Sequence, residues 1–280
     1  YNCPRFCNKE PFCLKTDSIK VNIYQLHNWE EPPISGTNGS GTIFFSNCNL
    51  RCLFCQNYKI SHLGSGMDFD SGKIMDICYE LKEKGAHNIN FVTPTPYTDK
   101  LISIMQTLRK QGFDLPFVWN CGGYESLNSI KAMDGLVDIY LPDFKYSDNK
   151  IAIEYSQAPN YYENAINVIS EMRRQKKDSF NNNGLMKSGL IIRHLVLPGH
   201  VENSKGVLRA IKQINGTGTL VSLMSQYCPI YKALDHKVLS RKLSHSDYDE
   251  VCDFFIELDF NDGYVQDFDS ATEEYIPDFK

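Results

Sequence analysis

The segment Phe44-Phe45-Ser46-Asn47-Cys48-Asn49-Leu50-Arg51-Cys52-Leu53-Phe54-Cys55-Gln56-Asn57 carries three cysteines in a C-x3-C-x2-C array, directly after the run Thr42–Phe45. A short run of β-branched and aromatic residues reads as a buried strand. The cysteines therefore sit on the loop that leaves that strand. Three thiolates on one tight loop suit three corners of a [4Fe–4S] cube and leave the fourth iron without a protein ligand. A structural zinc loop is the alternative, but zinc closes its shell with four ligands, commonly from paired C-x2-C knuckles. An open iron is what a chelating cofactor such as S-adenosylmethionine (SAM) needs. The protein then supplies positioning and exclusion of water, and the hard chemistry is the cofactor's.

Downstream of this loop, short apolar runs alternate with amphipathic segments. Strands are expected at Thr42–Phe45, Asn88–Val92, Pro116–Asn120, Val137–Leu141, Leu190–Leu197 and Leu220–Met224. Between them, apolar residues recur at helical spacing, as in Ile74/Ile77/Cys78/Leu81, Leu101/Ile104/Met105/Leu108 and Val207/Ala210/Ile211/Ile214. Such stripes pack a helix onto a sheet. Strand then helix, repeated, predicts an α/β fold with a parallel sheet and right-handed crossovers. Two architectures satisfy this: a doubly wound sheet and a β/α barrel. Every unusual segment follows a strand: Cys48–Cys55, Thr93–Pro96, Asn120–Gly123, Asp143–Lys145, Pro198–His200 and Ser225–Cys228. A barrel gathers all of them at one mouth, whereas a doubly wound sheet gathers only those at its switch point. The expectation is a partial (β/α)6 TIM-type barrel over residues 41–280, with an irregular Cys-containing N-terminal extension over residues 1–40. Asp178–Gly184 reads as a flexible insertion before the fifth strand.

The 280 residues and the net charge of −5 allow one large domain and offer no concentrated basic surface for nucleic acid. No apolar run approaches the roughly 20 residues of a membrane helix, and no signal peptide is read at Tyr1-Asn2-Cys3. The ten cysteines cluster at short spacings, which favours metal binding in a reducing, cytoplasmic setting over disulfides.

Further motifs extend over nearly the whole chain. They include Cys3-Pro4-Arg5-Phe6-Cys7, Trp29-Glu30-Glu31-Pro32, Gly85-Ala86-His87-Asn88, Asp138-Ile139-Tyr140-Leu141-Pro142-Asp143-Phe144-Lys145, Arg193-His194-Leu195-Val196-Leu197-Pro198-Gly199-His200 and Glu274-Tyr275-Ile276-Pro277-Asp278-Phe279. With the cysteine loop, they resemble the radical SAM superfamily, and within it the pyruvate formate-lyase activating enzyme-like branch. The resemblance implies a partial barrel with SAM across the strand ends. One electron from the cluster would cleave SAM to a 5′-deoxyadenosyl radical that abstracts a hydrogen atom. It also implies a one-electron donor of flavodoxin or ferredoxin type. In the activating enzymes a Gly-Gly-Glu-type turn holds the methionine amine; Thr93-Pro94-Thr95-Pro96 takes that place here. Asn120-Cys121-Gly122-Gly123 corresponds to an Asp-Thr-Asn-Gly-type segment, with Asn120 in place of an aspartate that helps bind a monovalent cation and the cofactor. Asp143-Phe144-Lys145 matches an Asp-x-Lys after the fourth strand. Tyr227 aligns with a late histidine near the adenosine.

Each candidate has a plainer reading beside it. Phe54 suits an adenine contact or the core, and Gln56 joins it among the cofactor-binding candidates. Alternation along the strand puts Asp143 and Lys145 on one face, toward ribose, carboxylate or substrate, or as a rim ion pair. Arg193 offers a bidentate hold on the SAM carboxylate or an interior ion pair. His200 and Gln226 are substrate candidates. Cys121 and Cys228 fall at the mouth, as hydrogen-atom donors or as space-filling residues, while Cys78 and Cys252 lie on helix stripes in the core. Cys3, Cys7 and Cys13, spaced C-x3-C-x5-C, suit zinc or a second Fe–S cluster, with a fourth ligand such as His27.

Three functions follow. The first is hydrogen-atom abstraction that activates a glycyl radical enzyme. The second is radical modification of a peptide or small molecule, toward which Asn120 and the altered Thr93–Pro96 turn push. The third, of another class, is a non-catalytic metal-stabilised interaction module.

Overall fold

The computed structural model describes residues 18–260, 262–268 and 279; Cys3, Cys7 and Cys13 lie outside them. Ten strands form one sheet: β1 (Ile19–His27), β2 (Ser40–Phe45), β3 (Met67–Phe69), β4 (Ile89–Val92), β5 (Phe117–Cys121), β6 (Ile139–Pro142), β7 (Ser179–Phe180), β8 (Met186–Leu195), β9 (Leu220–Met224) and β10 (Gly263–Val265). The helices are α1 (Pro32–Ser35), α2 (Tyr58–Ser61), α3 (Ser71–Glu83), α4 (Thr98–Lys110), α5 (Leu127–Ala132), α6 (Asn149–Ser156), α7 (Tyr161–Gln175), α8 (Val201–Asn215) and α9 (His245–Glu257). The sheet order is β10-β9-β8-β6-β5-β4-β2-β1-β3, with β7 paired to β8.

From β2 to β10 every neighbouring pair is parallel, and the order follows the chain without reversal. A doubly wound sheet would reverse at a switch point; this sheet is an open, partial barrel. All six strands expected from the sequence are present. The helix stripes are also where helical spacing puts them: α3 buries Ile74, Ile77, Cys78 and Leu81, and α4 buries Leu101, Ile104, Met105 and Leu108.

Three features differ from expectation. Residues 18–40 are not irregular. Ile19–His27 is a strand, antiparallel to β2, because Ile19 and Val21 alternate with polar neighbours and bury one face. The sheet also continues past the sixth unit into β10. Within Asp178–Gly184, Ser179–Phe180 pairs antiparallel with β8 as a short hairpin rather than standing free.

Alternation along each strand separates two packing environments. Phe117 and Trp119 of β5 point outward, into the large core between sheet and helices, as do Tyr140, Ile192, Val221 and Leu223. Val118, Ile139, Leu141, Ile191 and Leu220 point inward and close on Ile34 of α1. The segment before β2 thus plugs the floor of the barrel. Asn88 fixes that plug: its amide donates to the Ile34 carbonyl at 2.7 Å, and its side-chain oxygen accepts from Ser40 at 2.6 Å. Above this apolar floor the inward positions become polar.

Candidate active site at the mouth of the partial barrel

The cysteine loop leaves β2 through Asn47, which holds a positive φ of 69°. Its backbone is tied to α6: the Arg51 N–H donates to the Ser156 carbonyl at 3.0 Å and the Leu53 N–H to the Tyr155 carbonyl at 2.8 Å. The Arg51 guanidinium closes the loop from below, donating to the carbonyls of Cys48 at 2.9 Å and Ser61 at 3.2 Å. Arg51 is therefore a scaffold for the loop. Cys48, Cys52 and Cys55 all face one cavity of about 410 Å³.

Burial, with the neighbouring Cys52 second, pushes the Cys48 thiol up to about 11. Burial also raises Cys55, and Cys52 and Cys48 add to that. Partners for the sulfurs are few: the Leu50 N–H approaches Cys48 Sγ at 3.3 Å and the Ser156 hydroxyl approaches Cys52 Sγ at 3.0 Å. Three clustered thiols, Cys52 buried and Cys48 and Cys55 half-buried, fit a group that brings positive charge to them. Among the described residues no three His, Cys, Asp or Glu side chains converge as ligands of a single ion would. A cubane takes its thiolates on separate irons, which three cysteines of one loop facing one cavity can supply.

The opposite wall is a charged network. Arg193 on β8 donates from Nε to Asp143 Oδ1 at 3.0 Å, from one terminal nitrogen to Glu30 Oε2 at 3.1 Å, and from the other to Asn120 Oδ1 at 2.5 Å. Lys145 Nζ meets Asp143 Oδ2 at 2.5 Å. Asn90 Nδ2 donates to Glu30 Oε1 at 2.9 Å. Burial alone would raise the Asp143 carboxyl; Lys145 and Arg193 outweigh it and hold the group below its ordinary value. Burial works against the Lys145 ammonium, and Asp143 and Cys52 reverse that and raise it. Burial raises both Glu30 and Glu31, with Arg193 opposing.

Most of the residues singled out from the sequence share this cavity: Phe54, Gln56, Thr93, Thr95, Asn120, Asp143, Lys145, Arg193, Gln226 and Tyr227, with Cys121 and Cys228. Several have committed polar atoms. The Thr95 hydroxyl donates to Glu125 Oε1 at 2.7 Å, the Tyr227 hydroxyl to the Leu239 carbonyl at 2.5 Å, and Gln56 Nε2 to the Gln226 carbonyl at 3.0 Å. What Tyr227 offers the cavity is its ring, beside Phe54 at 5.8 Å between centroids. Thr93 takes φ 58°, a left-handed conformation costly for a β-branched residue; its N–H donates to the Asn120 carbonyl at 2.9 Å.

Two candidates do not reach the wall. Pro94 is buried beneath the turn, and His200 stands outside the cavity. His200 precedes α8 as its cap residue, and its ring turns out to the Tyr155 hydroxyl on α6, 2.7 Å away. Conversely, Glu30 and Glu31 lie on the wall without having been singled out. Their sequence signals are membership of the Trp29-Glu30-Glu31-Pro32 motif and an acidic pair just before the Pro32-Pro33 helix start. His27, considered as a fourth ligand for the N-terminal cysteines, lines this cavity; Cys3, Cys7 and Cys13 lie outside the described residues. Among the described residues no helix is long and apolar enough to cross a membrane.

The pattern of the radical SAM superfamily matches residues 42–211. An uncharacterized protein of Methanocaldococcus jannaschii, MJ0674, is 31% identical over 244 residues, spanning 83% of this chain and 67% of that protein. Among solved structures, Streptococcus suis SuiB bound to its precursor peptide SuiA superposes with a TM-score of 0.56 at 9% identity, covering 79% of this chain and 47% of SuiB. Methylornithine synthase (PylB) superposes with a TM-score of 0.53 at 13% identity, covering 84% of this chain and 71% of that one. These superpositions speak for the fold, an α/β partial barrel. The chain spans about half the length of SuiB.

Proposed function

The chain belongs to the radical SAM superfamily, and we propose that Cys48, Cys52 and Cys55 hold its [4Fe–4S] cluster while the charged wall opposite holds SAM. When bound, the cluster and SAM together supply a one-electron cleavage that yields a hydrogen-atom abstractor. The chain's own residues orient and enclose. Arg193, fixed by Asp143 and Glu30, presents a rigid fork suited to a carboxylate. Lys145 and Asp143 offer a cation and an anion toward ribose or methionine groups. Thr93 and Thr95 shape the turn beside Asn120, and the rings of Phe54 and Tyr227 give adenine an apolar wall. The observation that carries this reading is the convergence of three clustered thiols and a buried ion network on one cavity.

A protein of this superfamily needs a one-electron donor; a flavodoxin or ferredoxin type is proposed here. For the substrate, the mouth suits modification of a peptide or small molecule. The structural neighbour SuiB is complexed with a precursor peptide, which makes peptides the first class to test. Activation of a glycyl radical enzyme is the narrower form of the same chemistry and would show as a stable glycyl radical on a partner. Cys3, Cys7 and Cys13 are proposed as a second metal site.

The test is anaerobic reconstitution, reduction with dithionite, addition of SAM and chromatographic assay of 5′-deoxyadenosine. About four iron and four sulfide per chain are expected, with product formed by the wild type and absent in Cys52→Ala. Zinc without sulfide would sink the assignment and leave a metal-stabilised module.

A further inference from the structure

The wall of the cavity holds three buried carboxylates, Glu30, Glu31 and Asp143, against two buried cations, Arg193 and Lys145. Arg193 is shared between Glu30 and Asp143, and Lys145 is taken by Asp143. Glu31 is the surplus. It is 8% exposed, and its Oε2 has no hydrogen-bond partner among the described residues. A buried carboxylate in that state is costly unless a cation or a donor completes it.

The surplus lies in a definite part of the cavity. Ser222 acts on the Glu31 carboxylate, and the Tyr264 phenol feels its charge. The sheet register puts Arg193 beside Ser222 and Ser222 beside Tyr264, so these three side chains form one inward row across β8, β9 and β10. The thiols hang from β2, at the other end of the run of parallel strands. The cation that faces them is Lys145, which both Cys48 and Cys52 sense.

We propose that Glu31, with Ser222 and Tyr264, forms a second polar subsite that takes the ammonium or guanidinium group of the substrate. The inference rests on the SAM assignment only in calling the occupant a substrate. One carboxylate oxygen, one hydroxyl and one phenol match the donors of an organic cation, and the Tyr264 ring adds an aromatic surface.

The probe is n-butylammonium, titrated by ligand-observed NMR into the cluster-loaded, SAM-bound chain, with n-butanol as its neutral counterpart. The wild type is expected to bind butylammonium in preference to butanol. Glu31→Gln should weaken butylammonium at least about tenfold, the loss of one charged hydrogen-bond partner, and by more than it changes SAM affinity. Ser222→Ala should weaken it less, and serves if Glu31→Gln does not fold. Equal binding by Glu31→Gln would mean that Glu31 is a neutral carboxyl in the complex, and would overturn the subsite. So would a wild type that binds no butylammonium, or a Glu31→Gln chain that loses SAM together with the probe, since Glu31 would then belong to the SAM site. Glu31-dependent butylammonium binding by a chain that holds no SAM would support the subsite while sinking the SAM assignment.

Discussion

The two faces of the same sheet are built on opposite terms. Outward, Phe91, Phe117, Trp119 and Tyr140 pack against helices in a continuous apolar layer. Inward, the apolar floor around Ile34 gives way one step along the strands to Asn90, Asn120, Arg193 and Ser222. The strands are shared, so the difference comes from alternation alone: Trp119 and Asn120 are neighbours in β5, and Ile192 and Arg193 in β8. The outer face is held by buried area, which tolerates changes that keep volume. The inner face is held by charge pairing, which fails when one partner is removed. A site built this way gains preorganised charge from the face that carries least of the hydrophobic stabilisation.

Two substitutions of similar size should break the faces differently. Arg193→Ala leaves Glu30 without a cation and Asp143 with Lys145 alone, and should cost about 3–5 kcal/mol in urea denaturation. Adding Glu30→Gln should recover much of that loss, because the unpaired charge goes with it. Phe91→Ala, which removes a ring lying 5.7 Å from Phe117 and 6.0 Å from Phe45, should cost about 3–5 kcal/mol as well. No charge change should recover it. If Arg193→Ala proves mild, the inner face is not held by its ion network and the contrast collapses.

The outer face carries one polar exception, His194, and it sharpens the contrast through pH. Its Nδ1–H donates to the Phe144 carbonyl at 2.7 Å, and its Nε2 accepts from the Ser204 hydroxyl at 2.9 Å. Burial lowers its pKa to about 4, with Lys145 adding to the effect. The unfolded chain binds this proton near pH 6.5, so the neutral ring stabilises the fold above that pH. The stabilisation is lost as pH falls from 6.5 toward 4, by about 3 kcal/mol in all. The difference in unfolding free energy between wild type and His194→Gln should shrink across that window. A difference that stays constant would place the titration elsewhere.

How much of this was legible follows the same division. The outer face announces itself: apolar runs and helical stripes located six strands, each buried position of α3, and four of the buried positions of α4. The rim was also readable, because chemistry-bearing segments follow strand ends, and alternation put Asp143, Lys145 and Arg193 on one face. Three things escaped. The strand Ile19–His27 is half polar on its second face and lies between cysteine-rich and proline-rich stretches, so its alternation is weak. The strand β10 has three residues, too few for a period to register. Glu30 and Glu31 precede the first parallel strand, and an acidic pair ordinarily means a solvated turn; only the plug formed by α1 carries them inside. His200 failed in the other direction, since a residue after a strand can cap the next helix with its ring turned away.

The smallest expected effect lies where the two faces meet, at the turn after β5. Gly123 takes φ 71°, and a Cβ there would run into the Asp143 backbone carbonyl and lie 3.1 Å from the Tyr161 hydroxyl. Tyr161 comes from the outer layer and ties the rim: its hydroxyl approaches the carbonyls of Gly122 at 2.9 Å and Asp143 at 3.0 Å and accepts the Lys145 N–H at 2.9 Å. Gly123→Ala should therefore cost about 2 kcal/mol of stability, from the left-handed backbone and the forced shift of a carbonyl that cannot rotate away. Because that carbonyl belongs to Asp143, the variant should lose SAM affinity in equilibrium dialysis more than its stability loss alone explains. Phe91→Ala, assayed where it remains folded, should keep that affinity. Equal affinities in the two variants would show that the outer layer positions the charged wall as closely as the turn does, and the faces would no longer be separable.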